Sequence, residues 1–463
     1  MSEYSIEKIQ GFEGKYPKQI WYLFLTEMWE RFSFYGMRGM LTVFMAKELF
    51  FSEQDANLKY GAIQAFVYAF TFIGGLFADK ILGFKKSLFW GGFLMIIGSF
   101  ILAFNPQEFF FLGISFTVIG TGFFKPNIST MVGALYKEGD IRRDAGFGLF
   151  YTGINLGALV GGVACVAVGM AYSWNIAFSL AGFGMIIGLA LFFFTKKTMG
   201  AIGDTPLPNM EKSKRTRLEV VVYILSLASI PAIILMVQNT AYTDVFMYTI
   251  GPLTLIYLIF EMTKLTAVEN KKMLAALVFI FFSIIFWAFF EQSGGSLSLF
   301  ALNNLDDTLL GIEGINPNTI NNGANSVFVI AFSALLGLLW IFMAKKKIEP
   351  NTLIKFGLGF LFLAGAFYIF YATKFFADPA TGRTSLNIFT VAYLVMTFGE
   401  LCLSPIGLSI MTKLAPRKLW GVMMGMWFLG SAYGQYVAGL LGAGMASPDE
   451  NATAMEKLEG YTD

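Results

Sequence analysis

Between Thr26 and Gly39 the chain reads TEMWERFSFYGMRG, inside its first long apolar segment. On a helix turning about 100° per residue, Glu27, Glu30, Arg31, Phe34, Tyr35 and Arg38 fall within an arc of about 140°. Two carboxylates, two guanidiniums and two aromatic rings therefore share one stripe, while Leu, Met and Trp take the opposite face. A charge at membrane depth costs at least about 2.5–3.5 kcal/mol per residue on insertion scales. Such residues face a protein interior or a wet cavity, and they mark an ion or substrate path. An ion-pair cluster that only locks helices together is the plainer reading, but four charges on one span exceed what packing needs. Histidine is absent from the chain, so proton chemistry here falls to carboxylates.

Further chemistry-bearing residues stand in other apolar stretches. Lys125, in GTGFFKPNIS, follows about fifteen mostly apolar residues, and an ammonium that deep needs a carboxylate partner; Glu27 and Glu30 are the candidates. Asn155 lies in the glycine-rich FYTGINLGAL, where an amide more often joins helices. Trp287 and Glu291, in FWAFFEQSGG, are four apart and share a helix face. Asn325 begins the next span, and Glu400 sits mid-span in FGELCLSPIGL, five residues before a helix-loosening Pro405. Trp427 lies among small residues in MMGMWFLGSAYG, and Gly74–Lys86 (GGLFADKILGFKK) forms a glycine-rich, basic hairpin in which Asp79 is a candidate helix cap.

The elements that must carry these groups are membrane spans. The 463 residues are 56% hydrophobic and 14% charged, against about 25% charged in soluble domains. A net charge of +2 gives no electrostatic footprint for nucleic acid, and the two cysteines, Cys165 and Cys402, have no metal or redox spacing. The first eighteen residues are polar, with no apolar stretch and small-residue cleavage site, so the first span is expected to serve as the insertion signal. Apolar stretches of spanning length fall at about 19–46, 57–80, 87–105, 108–134, 146–171, 174–195, 217–238, 244–264, 272–301, 324–344, 352–374, 386–412 and 418–445. With the N-terminus inside, the outer segments hold only Lys47, Lys59, Lys374, Arg383 and Lys457; apart from Arg31, Arg38 and Lys125 within spans, every other lysine and arginine lies inside. That bias predicts a cytoplasmic N-terminus. A basic linker, Lys196 to Arg217, follows the sixth span, and the next two spans carry so few polar groups that they are expected to be peripheral and lipid-facing. Thirteen spans put the polar tail after Ala446 outside, and a final span is expected to be missing.

Taken together, these motifs resemble the bacterial proton-dependent oligopeptide transporters (POT/PTR family) of the major facilitator superfamily. The family's E-x-x-E-R-F-x-Y-Y-G is matched by Glu27, Glu30, Arg31, Phe32, Phe34, Tyr35 and Gly36. The lysine before Pro-Asn is Lys125, F-Y-x-x-I-N-x-G is Phe150 to Gly157, F-W-x-x-F-E-Q is Phe286 to Gln292, and G-E-L-x-x-S-P-x-G-L is Gly399 to Leu408. Gly74–Lys86 resembles the superfamily's loop signature. Phe34 stands where the family has its first tyrosine, so one hydroxyl is absent.

The resemblance implies an all-α polytopic membrane protein with a major facilitator fold, two six-helix halves and two extra helices between them. The expected division is an N-terminal six-helix bundle over 1–195, a linker with the two extra helices over 196–271, and a C-terminal bundle over 272–463 with five of its six helices. The implied function is proton-coupled import of di- and tripeptides by alternating access, by a monomer in the bacterial inner membrane, with protons as coupling ion, no other cofactor and no metal. Glu27, Glu30, Arg31, Lys125 and Glu291 are the expected proton-coupling groups. For the peptide, Glu400 with Asn155 and Asn325 would hold the amine, and Arg31, Arg38 and Lys125 the carboxylate. Tyr35, Tyr68, Trp287 and Trp427 would line a cavity tolerant of many side chains. The driving force is about 1.4 kcal/mol per proton per pH unit plus about 2.3 kcal/mol per 100 mV. The alternatives are another solute on the same fold (a drug, an anion or a modified peptide) or a peptide receptor that does not transport. An enzyme is disfavoured, since no histidine, metal cluster or nucleophile–base pair is visible.

Overall fold

In a computed structural model the protein is described over residues 4–403, 407–416, 419–446 and 453–462. Every predicted apolar stretch coincides with helix, as unpaired backbone groups in hydrocarbon require. The helices are α1 (Ile6–Gln10), α2 (Lys18–Lys47), α3 (Glu53–Phe77), α4 (Phe84–Phe104), α5 (Pro106–Ala134), α6 (Arg143–Ala171) and α7 (Trp174–Thr195). Next come α8 (Lys212–Ala228), α9 (Ile230–Gln238), α10 (Thr240–Met262), α11 (Ala267–Phe290) and α12 (Ser296–Asn304). The last are α13 (Pro317–Lys345), α14 (Thr352–Ala372), α15 (Leu386–Leu403), α16 (Gly407–Leu414), α17 (Trp420–Met445) and α18 (Ala454–Thr462). Among the described residues, 11 helical segments are long and apolar enough to cross a membrane; the other two expected spans are α2 and α17.

Helix starts follow local chemistry. Asn105 Oδ1 accepts from the Glu108 amide ahead of Pro106 at the head of α5, and Asn316 does the same before Pro317 on α13. Thr266 and Glu269 close a capping box on α11. Asp79 does not act as a cap. It is exposed, the backbone there winds into a π-helical turn over Ala78–Leu82, and Gly83 alone, at φ 76°, starts α4.

The chain forms two compact units, each described by itself: Met1–Met40 with Phe66–Gln238, and Leu41–Ala65 with Asn239–Asp463. In the first, α8 is fastened to α4 where Lys86 Nζ donates to Glu219 Oε1 at 2.6 Å and Trp90 Nε1 to Ser226 Oγ at 3.1 Å. In the second, α10 is fastened to α17 where Tyr436 donates to Asp244 Oδ1 at 2.6 Å and Tyr433 to the Met247 carbonyl. Buried shares of the apolar stretches are low for α8–α9 (22%), α10 (11%) and also α13 (6%).

Among the described residues two predicted spans are interrupted, 217–238 at Ser229 between α8 and α9 and 272–301. The stretch 272–301 divides at a 3₁₀ turn over Glu291–Gly294, after which α12 begins. The stretch 386–412 becomes α15 and α16; Pro405 lies outside the described residues, as do Arg417 and Lys418. The second unit has an aromatic core of Phe286, Phe356, Phe370, Phe389 and Tyr393 and a methionine-rich one around Met273, Met411 and Met423. The tail, expected as plain polar chain, includes α18. Its Leu458 is fully buried, and Tyr461 donates to Glu53 Oε2 on α3 at 2.6 Å.

Candidate functional site

In the first unit the charged stripe of α2 is buried. Glu27, Glu30 and Arg31 are 1%, 0% and 2% exposed. What seals them is α6, whose Gly157 and Gly161 lie directly on the α2 backbone. A methyl group on Gly157 would come within 2.1 Å of the Met28 carbonyl oxygen and 2.9 Å of Arg31 Cβ, and one on Gly161 within 2.2 Å of the Phe32 carbonyl oxygen. Small residues at this spacing let backbones meet, and here they press α6 onto α2 at the level of Arg31.

Arg31 serves two carboxylates at once. Its Nε lies 2.8 Å from Glu27 Oε1 and 2.5 Å from Glu30 Oε2. One N–H cannot point along both lines, so these are ion pairs without good hydrogen-bond direction. Arg31 Nη2, Glu27 Oε2 and Glu30 Oε1 make no hydrogen bond within the described protein. The triad alone carries one negative charge, and Lys125 on α5 acts electrostatically on both glutamates. The ammonium itself sits 4.3 Å from the centre of the Tyr68 ring. Arg38 stacks 5.5 Å from the ring centre of Tyr35, and Arg31 lies 5.6 Å from that of Phe34. Tyr35, Arg38, Tyr68 and Lys125 are all partly exposed, unlike Arg31. Asn155 is buried on α6, and its amide turns back to the Tyr151 carbonyl at 3.0 Å.

In the second unit Asn325 Nδ2 donates to Glu400 Oε2 at 2.8 Å and to Thr397 Oγ1 at 3.1 Å. A polar chain continues from there: Thr397 donates to the Tyr393 carbonyl, the Tyr393 hydroxyl to Asn321 Oδ1 at 2.5 Å, and Asn321 Nδ2 to the Ser293 carbonyl at 2.8 Å. Ser293 belongs to the turn that Glu291 opens, so Asn321 ties α13 to the break after α11, while Tyr393 meets Thr397 through its carbonyl and Asn321 through its hydroxyl. Thr397, Tyr393 and Asn321 were not singled out from sequence. Their signal was present, because 393, 397 and 400 on α15 and 321 and 325 on α13 follow helical spacing.

Glu291, 5% exposed, is the first residue of the 3₁₀ turn, and its N–H still bonds the Trp287 carbonyl, which preserves the predicted spacing. Trp287 packs edge-on to Phe286 and Phe290. Trp427 is partly buried against the methionine-rich core, and Gly434, two turns further along α17, lies against Trp287 Cβ. The sites expected from sequence thus assemble as a charged group in one unit and a carboxylate–amide network in the other.

Comparison with known proteins bears on what such groups do. A family model described as "PTR2: POT family" matches residues 85–458. The chain is 34% identical over 443 residues to the peptide transporter YePEPT of Yersinia enterocolitica subsp. palearctica, covering 91% of this chain and 86% of that protein. It is 32% identical over 444 residues to a di-/tripeptide transporter of Lactococcus lactis subsp. lactis, covering 91% and 88%. A crystal structure of peptide transporter POT in complex with sulfate superposes with a TM-score of 0.82 at 30% identity, covering 99% of this chain and 94% of that one.

Proposed function

The chain belongs to the POT family, and on that premise we propose that it imports di- and tripeptides together with protons by alternating access. The observation that carries this reading is the sharing of Arg31 by Glu27 and Glu30 beside Lys125. A buried cluster with two acids and two cations changes its proton content when a further anion claims one cation. A peptide carboxylate drawn to Lys125, Arg38 or Arg31 is that anion. It releases a glutamate to take up a proton, and reforming the cluster expels both. Glu291 is the second candidate proton carrier. The peptide amine goes to Glu400, oriented by Asn325, with Asn155 as a further polar contact; Tyr35, Tyr68, Trp287 and Trp427 accept varied side chains.

The fold that suits this work has a six-helix half over 1–195 and a second half over 272–463 that holds five of its six helices, with α8–α9 and α10 as the extra helices of 196–271. Their scarcity of polar groups supports the assignment. The charge bias supports a cytoplasmic N-terminus in a bacterial inner membrane. Every group named comes from one chain, so a monomer suffices.

The test is counterflow of labelled dialanine in proteoliposomes, followed by uptake under a pH gradient. Counterflow with pH-driven accumulation is expected. Binding without counterflow would replace the reading with a receptor, and counterflow of another solute alone would replace the substrate.

A further inference from the structure

At the basic end of α4 and α7, the first unit holds a cavity of about 780 Å³ that the transport reading does not use. Four cations line its rim: Lys85, Lys86, Lys196 and Arg215. Two acids offset them. Lys85 Nζ lies 2.8 Å from Asp204 Oδ1, while Lys86 Nζ and Arg215 Nε lie 2.6 and 3.7 Å from Glu219 Oε1. Lys196 has no carboxylate within ion-pair distance among the described residues; its ammonium rests 4.0 Å from the centre of the Phe193 ring and 5.8 Å from that of Phe89. The rim therefore carries two positive charges in excess.

Below the rim the wall is aromatic, built from Phe89, Trp90, Phe193 and Tyr223. Phe89 and Phe193 are 40% and 47% exposed, and Phe93, one turn along α4 from Phe89, is 43% exposed. That face continues along the membrane-crossing helices, where acyl chains lie. An anion-seeking rim above an apolar, hydrocarbon-facing wall matches one ligand chemistry at both ends.

We propose that this cavity binds the phosphodiester headgroup of an anionic phospholipid, with Lys196 as its principal contact and the Phe89–Phe193 wall holding the upper acyl chain. Basic pockets between membrane helices on the cytoplasmic side are suited to such headgroups. The inference borrows from the proposed orientation only the leaflet concerned. Its test reads lipid binding, so it fails or stands apart from transport.

The full chain is purified in neutral detergent and titrated with phosphatidylglycerol or phosphatidylcholine, and bound lipid is counted by native mass spectrometry. Wild type is expected to prefer phosphatidylglycerol. Lys196→Ala should weaken phosphatidylglycerol binding about fivefold, the equivalent of one lysine at an anionic surface, and leave phosphatidylcholine unchanged. Lys196→Arg should keep the preference, as should Lys197→Ala, which removes the exposed neighbouring charge. An unchanged preference in Lys196→Ala, or an equal loss in Lys197→Ala, would overturn the site. Displacement of phosphatidylglycerol by millimolar inorganic phosphate would overturn the lipid and leave a free-anion site.

Discussion

Replacing Glu27 by Gln removes one of two carboxylates from Arg31 and keeps the other at 2.5 Å. The side chain keeps its shape, and the charge of the triad goes from −1 to zero, as it would on protonation. Because Glu30 still compensates the guanidinium, the stability loss should be that of one charge-assisted contact, about 1.5–3 kcal/mol. Stripping both acids in Glu27→Gln/Glu30→Gln leaves Arg31 buried without a counter-charge, which costs about 3–5 kcal/mol or more. Thermal unfolding in detergent orders wild type, Glu27→Gln and the double variant. The functional consequence is sharper. One coupled proton gives up to about tenfold peptide accumulation per pH unit, so wild-type proteoliposomes should concentrate dialanine by that order. A chain locked in the protonated charge state has no proton to exchange; Glu27→Gln should exchange labelled for unlabelled peptide yet hold the internal concentration level with the outside. Robust pH-driven accumulation by Glu27→Gln would refute the argument and move the proton to Glu30 or Glu291. If Glu27→Gln were as unstable as the double variant, the shared arginine would be refuted too.

Other perturbations test the second unit and its packing. Glu400→Gln should weaken binding through the peptide amine, so acetylating that amine should cost wild type at least tenfold in affinity and the variant little; equal losses in a competition assay would remove Glu400 from the amine site. Tyr393→Phe takes the donor from the buried Asn321 carbonyl oxygen and should destabilise by about 1–3 kcal/mol in thermal unfolding, with smaller loss in a Tyr393→Phe/Asn321→Leu pair than the two singles sum to. Gly439→Ala places a methyl group 2.8 Å from Gly61 Cα across the α3–α17 contact and should cost about 1–3 kcal/mol, whereas Gly444→Ala, which meets nothing within 4 Å, should be silent.

Much of the α2 site was legible because charge in an apolar helix is rare, and its helical phase is set by the 3.6-residue repeat. Glu400 was legible for the same reason; its bond from Asn325 was not, because an amide at the start of a span is a weak signal. The break at Glu291 is marked in FWAFFEQSGG only by the adjacent Gly294 and Gly295, with no proline; the turn shows up in contacts such as Ser296 donating to Gln292 Oε1, which periodicity does not encode. Thr397 and Tyr393 do not stand out alone, because single hydroxyls are common in membrane helices, and only their register with Asn321 and Asn325 gives them meaning. The docking of α18 escaped notice because nine residues of mixed polarity have no spanning signal. Arg142, which bonds the carbonyls of Phe12 and Gly14 and so straps down the N-terminal segment, reads in sequence as one more loop charge.

The glycine seam between α6 and α2 also shapes how this chain tolerates mutational drift. No amino acid is smaller than glycine, so every substitution at Gly157 or Gly161 adds atoms where 2.1 and 2.2 Å separate a new carbon from a main-chain oxygen. A packed side chain can be trimmed and later regrown through variants that still fold; these two positions have no such downhill neighbours. Repair by a second change is closed off as well, because the obstructing atoms belong to the backbone of α2, which no replacement at Met28 or Phe32 removes. In a deep mutational scan of folded protein at the membrane, the two positions should stand out as wells with a single permitted residue. Arg31, a few ångströms away, should lose function through substitutions that still yield folded protein.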